Sequence, residues 1–138
     1  MIVVDTNVIA FLLIEGEHTA QAEGVFKKDT EWIAPYLWRS EFRSVLAFYV
    51  RKRRIHLDDA KALMQEAEVL MQGREFEVES ARVLELAESS KCSAYDCEYV
   101  TLAEQVGVKL VTSDKKVLNA FSWIAMEMTS FSTKETDR

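Results

Sequence analysis

Apolar positions along the chain fall into short unbroken runs, separated by longer stretches in which they recur with a helical period. The first run is Ile2, Val3 and Val4, all β-branched and uninterrupted by any polar residue. That pattern belongs to a strand buried on both faces of a parallel sheet. A helix is predicted over 7–15, so Asp5 falls at the carboxyl end of the first strand, where open α/β sheets hold their ligands. Asp5 is equally suited to capping the first-turn N–H groups of that helix. The local pattern leaves both roles open.

Strand-like and helix-like pieces then alternate to the end of the chain. A helix is predicted over 19–28, and Trp32, Ile33 and Ala34 read as a second strand. Pro35 suits the first turn of a helix over 36–53. Leu57-Asp58-Asp59 opens another helix running to 72, with Gly73 as its C-terminal cap. A short strand over 76–78 and a helix over 80–89 follow, and Ser93 caps a helix that ends before Gly107. The remaining pieces are a strand over 108–112, a short helix over 115–121 and a last strand over 124–128. Such alternation implies right-handed βαβ units: an α/β fold with a central, mostly parallel sheet of four to five strands and helices on both faces. One domain over 1–131 is expected, with a polar tail over 132–138 that is expected to be disordered.

Two carboxylates interrupt apolar faces. On the helix over 36–53, Leu37, Trp38, Phe42, Val45, Leu46, Phe48 and Tyr49 share one arc, and Glu41 lies inside it. An unpaired carboxylate there costs several kcal/mol, so Glu41 needs a buried Arg, an edge position or a cation. On the helix after Ser93, Tyr99, Val100, Ala103 and Val106 form a buried stripe that begins at Asp96, with Glu98, Thr101 and Gln105 facing away. Ser93 to Asp96 also fits a capping box, and an acid in the first turn suits the helix dipole. Asp114, at the end of the strand over 108–112, repeats the placement of Asp5, with N-cap duty again the alternative.

Composition narrows the chemistry. The 138 residues are 49% hydrophobic, enough for one core. No apolar run approaches the roughly 18 residues of a membrane span, and no signal peptide is expected. Cys92 and Cys97 fit neither a metal knuckle nor a redox pair, and read as ordinary thiols of a reducing cytoplasm. With only His18 and His56, a zinc site of His and Cys is not expected. The net charge of −6 disfavours nucleic acid unless acids gather around cations, and two divalent ions would offset four of those charges. Asp5, Glu41, Asp96 and Asp114 are placed so that they could converge at one edge of the sheet. There they would repel one another unless a hard, oxygen-liganded cation such as Mg²⁺ neutralised them. The chemistry that follows is metal-assisted phosphodiester hydrolysis.

The same residues carry a family resemblance. Val3-Val4-Asp5-Thr6-Asn7, Ser40-Glu41, Ala94-Tyr95-Asp96 and Val111-Thr112-Ser113-Asp114 occur in this order over nearly the whole chain. The chain thereby resembles PIN-domain ribonucleases, closest to the VapC-type toxins of prokaryotic toxin–antitoxin pairs. The resemblance implies a three-layer PIN-like fold and an endoribonuclease dependent on Mg²⁺ or Mn²⁺. It further implies Asp5, Glu41, Asp96 and Asp114 as a metal-binding quartet, with Asn7 and Thr112 or Ser113 assisting through hydrogen bonds. A homodimer, an RNA substrate and a cognate antitoxin that blocks the acidic cleft with a basic segment are also implied. Where some relatives carry a further Asp just after the last one, this chain has Lys115 and Lys116, so one bound ion is expected rather than two. Arg51, Lys52, Arg53 and Arg54 form the one dense basic run and are candidate RNA contacts, with Tyr49 or Trp38 offering a stacking face. Dipole complementation and solvation at a helix C-terminus explain such a run equally well.

Two rival functions share parts of this pattern. A receiver-like signalling module also holds Mg²⁺ with acids at strand ends, but it needs an adjacent acid pair where this chain has Asp5-Thr6. A catalytically silent PIN-like binding module would keep the whole quartet without turnover.

Overall fold

A computed structural model describes residues 1–134 and shows an α/β fold built on a five-stranded sheet. The elements are β1 (Ile2–Val4), α1 (Thr6–Leu13), α2 (Thr19–Lys28), β2 (Trp32–Pro35), α3 (Trp38–Arg51), α4 (Leu57–Leu70) and β3 (Glu75–Phe76). They continue with α5 (Ser80–Glu88), α6 (Ala94–Val106), β4 (Leu110–Val111), α7 (Lys115–Ala120), β5 (Ala125–Met126) and α8 (Met128–Thr133). Every strand pair is parallel, in the order β3-β2-β1-β4-β5. The chain therefore winds outward from β1 through β2 to β3, then returns to the other side of β1 for β4 and β5. That reversal lies between β1 and β4, whose register pairs Val3 with Leu110 and Val4 with Val111. In open α/β sheets the crevice outside the strand ends at such a switch point is the ligand site.

Unbroken β-branched or apolar sequence explains the central strands. Val3, Val4 and Val111 are fully buried, as expected for strands covered on both faces. Helix α6 packs on β1, β2 and β4 and against α5, while α1, α2, α3, α4 and α8 form a second connected group. Being enclosed, the middle of α6 is buried nearly all round: Cys97 and Tyr99 through Ala103 are covered, including Thr101, which the pattern placed outward, whereas Val106, counted in the buried stripe, is exposed at the helix end. The free thiols Cys92 and Cys97 are both buried, and that burial pushes both upward from their ordinary range.

Several boundaries differ from expectation. Pro35 ends β2 rather than opening α3, because the two residues after it form a turn. Phe48, counted in the buried arc of α3, is 49% exposed, since only Trp38, Phe42 and Leu46 turn into the core. Met71, rather than Gly73, caps α4. Ser132 and Thr133, expected in the tail, close α8; the rest of that tail, 135–138, lies outside the described residues.

Gly107 caps α6 in the left-handed conformation with φ +78°, as a helix-terminating glycine does. A Cβ there would meet nothing within 4 Å, so substitution incurs backbone strain alone. Gly107→Ala is expected to destabilise the fold by about 1–2 kcal/mol, measured by denaturant unfolding. A change near zero would contradict that conformation.

Candidate active site

At the β1–β4 switch point the four sequence-predicted acids line one open cleft of about 450 Å³: Asp5, Glu41, Asp96 and Asp114. Asp5 follows β1 and Asp114 follows β4, while Glu41 and Asp96 lie in the first turns of α3 and α6. Among the described residues, none of the four is ion-paired to Lys, Arg or His.

Asp5 is both cap and cleft wall. Its Oδ1 accepts the Val8 N–H at 3.0 Å, capping α1, and its Oδ2 accepts the Thr112 hydroxyl. The Thr112 oxygen in turn accepts the Asp114 N–H at 3.0 Å, so one hydroxyl ties the two strand-end acids together. Asp114 caps α7, its Oδ1 accepting from the N–H groups of Lys116 at 2.8 Å and Val117 at 3.3 Å. Cap and ligand are not exclusive roles for these aspartates, since a carboxylate has lone pairs for both. Ser113 approaches Asp5 through its backbone N–H, whereas Asn7 is exposed and lines the cleft.

On the opposite wall, Glu41 Oε1 lies 3.0 Å from Thr6 Oγ1 and 2.6 Å from the Tyr99 hydroxyl. Among the described residues no buried Arg compensates it; two hydroxyls lie against it instead. The sequence pattern missed both, placing Tyr99 in an apolar stripe and passing over Thr6. A signal was present for Tyr99, since a buried phenol usually finds a hydrogen-bond partner and this one lies one turn beyond Asp96. Asp96 donates its N–H to the Ser93 cap at 3.1 Å, while its carboxylate accepts no hydrogen bond among the described residues.

Burial pushes the Asp5 carboxyl up to about 6 from an ordinary 3.8, and the Asp114 charge adds to this against hydrogen bonds from Thr112, Val8 and Ser113. The folded chain thus holds that proton more tightly than the unfolded chain. The resulting stability is full below about pH 4 and is lost as pH rises through about 6. The gap corresponds to about 3 kcal/mol. In chelator-treated protein, Asp5→Asn keeps an N-cap of similar quality and removes the buried charge. It is expected to melt above the wild type at about pH 7.5, the difference closing near pH 4. A wild type that melts higher at both pH values would contradict burial as the dominant cause.

The donor set is all oxygen, negatively charged and, among the described residues, without a cationic partner, the chemistry that a hard divalent cation requires. Among the described residues, no three His, Cys, Asp or Glu side chains form a ready group around one point. This still fits Mg²⁺, which binds through one or two carboxylates and keeps several waters.

The basic run ends α3 outside the cleft, with Arg51, Lys52, Arg53 and Arg54 all exposed. Two of them connect to it: the Arg54 guanidinium lies 5.7 Å from the ring centre of Tyr49 and the Lys52 ammonium 5.7 Å from that of Phe48, and both rings line the cleft. Trp38 offers no stacking face, being fully buried with its Nε1 donating to Glu75 at 2.8 Å.

Comparison with known proteins agrees with this architecture. The PIN domain family profile matches residues 2–122. Ribonuclease VapC3 of Pyrobaculum aerophilum is 30% identical over 125 residues, covering 87% of this chain and 94% of that protein. PAE2754 from Pyrobaculum aerophilum superposes with a TM-score of 0.75 at 20% identity, covering 95% of this chain and 92% of that one. FitAcB from Neisseria gonorrhoeae gives 0.72 at 17% identity, covering 94% and 99%. These two likenesses bear on the fold alone. The chain belongs to the PIN-domain family and is of the VapC type.

Proposed function

We propose that this protein is a Mg²⁺- or Mn²⁺-dependent endoribonuclease that hydrolyses phosphodiester bonds of single-stranded or loop RNA. In this reading it acts in the cytoplasm as the toxin of a type II toxin–antitoxin pair, as a homodimer restrained by its cognate antitoxin. One observation carries the catalytic part: four carboxylates from four separate elements face one cleft, with no cationic side chain among the described residues paired to any of them. The similarity to a protein named Ribonuclease VapC3 supports the substrate class and the toxin role. Among the described residues no helix is long and apolar enough to cross a membrane, which fits a reading without a membrane partner.

Asp5, Glu41, Asp96 and Asp114 would hold the ion. When bound, a divalent cation there supplies Lewis-acid polarisation of a phosphoryl oxygen and a more acidic water. Thr112 and the Val8 N–H keep the Asp5 carboxylate fixed, so that its orientation is set before substrate arrives. Asn7, exposed at the cleft, can donate its amide to a phosphate oxygen. Val45, Phe48 and Tyr49 give the cleft an apolar side on which an unstacked base can rest. That wall favours unpaired RNA, because bases inside an A-form duplex are not free to splay onto it. Arg54, over Tyr49, and Lys52, over Phe48, would meet phosphates next along the strand, with Arg51 and Arg53 adding long-range attraction.

Calorimetric titration with Mg²⁺ or Mn²⁺, paired with cleavage of a labelled single-stranded RNA, tests the proposal. Ion binding with ion-dependent cleavage is expected. Ion binding without cleavage would leave a silent binding module, and absence of both would overturn the site.

A further inference from the structure

The contacts around Glu41 contain more information than its partners alone. Thr6 Oγ1 and the Tyr99 hydroxyl, 3.0 and 2.6 Å from Glu41 Oε1, lie 2.6 Å from each other. Three contacts thus share two protons, one from each hydroxyl. One contact has to close without a proton, and two lone-pair-bearing oxygens repel hardest at the shortest separations. The 3.0 Å contact is the one that tolerates this. The protons then occupy the two 2.6 Å contacts: Thr6 donates to Tyr99, and Tyr99 donates to Glu41. A separation of 2.6 Å is ordinary for a hydroxyl donating to an ionised carboxylate, and a phenol is a stronger donor than an aliphatic alcohol. Donation along such a chain strengthens each link in turn.

From this geometry we infer that Tyr99 is a positioning residue for Glu41: its phenol engages Oε1, so that Oε2 is the oxygen left for the cleft, and Thr6 acts through Tyr99. The inference rests on the metal-dependent reading above and deepens it. Placement agrees. Tyr99 is only 4% exposed and stands one turn from Asp96 on α6, so the helix bearing one acid orients another on α3. Thr6 follows Asp5 directly, bringing the start of α1 into the same arrangement. The carboxylate has no cationic partner among the described residues to take over this task.

Titration of Mn²⁺ into the wild type, Tyr99→Phe, Thr6→Val and Thr6→Ser, with melting temperatures and RNA-cleavage kinetics on each, tests the role. Partners of metal ligands of this kind are typically worth about 10- to 100-fold in affinity. Tyr99→Phe is expected to weaken Mn²⁺ binding by that factor and to lower kcat with little change in KM. Thr6→Val should weaken binding by less, and Thr6→Ser, which restores the hydroxyl, should recover most of that loss. Wild-type Mn²⁺ affinity in Tyr99→Phe with only a lower melting temperature would overturn the role and leave a packing residue. A loss in Thr6→Val as large as in Tyr99→Phe would overturn the order of donation. Should Tyr99→Phe fail to fold, equal affinities for Thr6→Val and Thr6→Ser would overturn the chain through Tyr99. A wild type that neither binds Mn²⁺ nor cleaves RNA would remove the metal site itself, and this role with it.

Discussion

Asp96→Asn is expected to lower kcat/KM for RNA cleavage by at least about 100-fold while the melting temperature moves by no more than about 4 °C. The separation of the two effects follows from what Asp96 touches. Its carboxylate accepts no hydrogen bond among the described residues, and the link to the Ser93 cap runs through its backbone N–H, which Asn retains. Structurally the change removes one negative charge from the first turn of α6, worth about 0.3–1 kcal/mol against the helix dipole. Relief of repulsion from the other cleft acids works in the opposite direction. Functionally, in the proposed reading, the lost charge is one of those that would hold a divalent ion, whose contribution to phosphoryl transfer is several kcal/mol. Steady-state cleavage of a labelled RNA alongside a thermal melt reads both quantities. Full activity in a folded Asp96→Asn protein would place Asp96 outside the chemistry.

The largest loss of stability is expected from Trp38→Ala, at about 3–5 kcal/mol, or roughly 10–20 °C in melting temperature. Trp38 is fully buried against Phe42, with ring centres 6.1 Å apart. Its Nε1 also donates to Glu75 Oε2, which Arg39 Nε meets at 2.5 Å while Arg39 Nη2 meets Oε1 at 2.8 Å. Arg39 holds the Glu75 carboxyl below its ordinary range. Because Glu75 begins β3, this arrangement ties the edge strand to α3, the helix that also carries Glu41. Truncating the indole opens a cavity and frees one side of that tie. Trp38→Phe separates the contributions by keeping most of the volume and removing only the hydrogen bond, at about 1–2 kcal/mol. A Trp38→Ala melt within about 3 °C of the wild type would contradict the burial and the tie together.

What the sequence made legible follows from where each signal lies. The β1 strand and Asp5 were readable because three β-branched residues end on a carboxylate, a purely local pattern. Glu41 was readable as an anomaly, since a charge inside an apolar arc demands compensation. The identity of that compensation was not, because Thr6 and Tyr99 lie 35 and 58 residues away in sequence. The sequence places helix α6 correctly, with Ser93 as its N-cap and its end before Gly107, yet it turns Thr101 outward, because a period read from one helix cannot show that a sheet and a second helix enclose it. The last helix was missed for a different reason. Met128–Thr133 is rich in Ser and Thr, poor helix formers, and tertiary contacts hold it. It packs on α2, and Lys28 Nζ reaches the carbonyls of Phe131 at 2.5 Å and Lys134 at 2.6 Å. Residue type alone suggests Trp38 as a stacking face; its burial, with Nε1 hydrogen-bonded to Glu75 of the edge strand β3, is not a local signal.

The opening Val3-Val4-Asp5 segment ties fold to function, since β1 is the strand on which the chain reverses and Asp5 is where the cleft begins. The most direct test is therefore cleavage of a labelled single-stranded RNA by the wild type and by Asp5→Asn, each with Mg²⁺ and with excess EDTA. Cleavage by the wild type with Mg²⁺ alone, abolished by EDTA and absent from a folded Asp5→Asn protein, is expected. Equal cleavage by Asp5→Asn, or wild-type cleavage undiminished by EDTA, would contradict a four-carboxylate metal site.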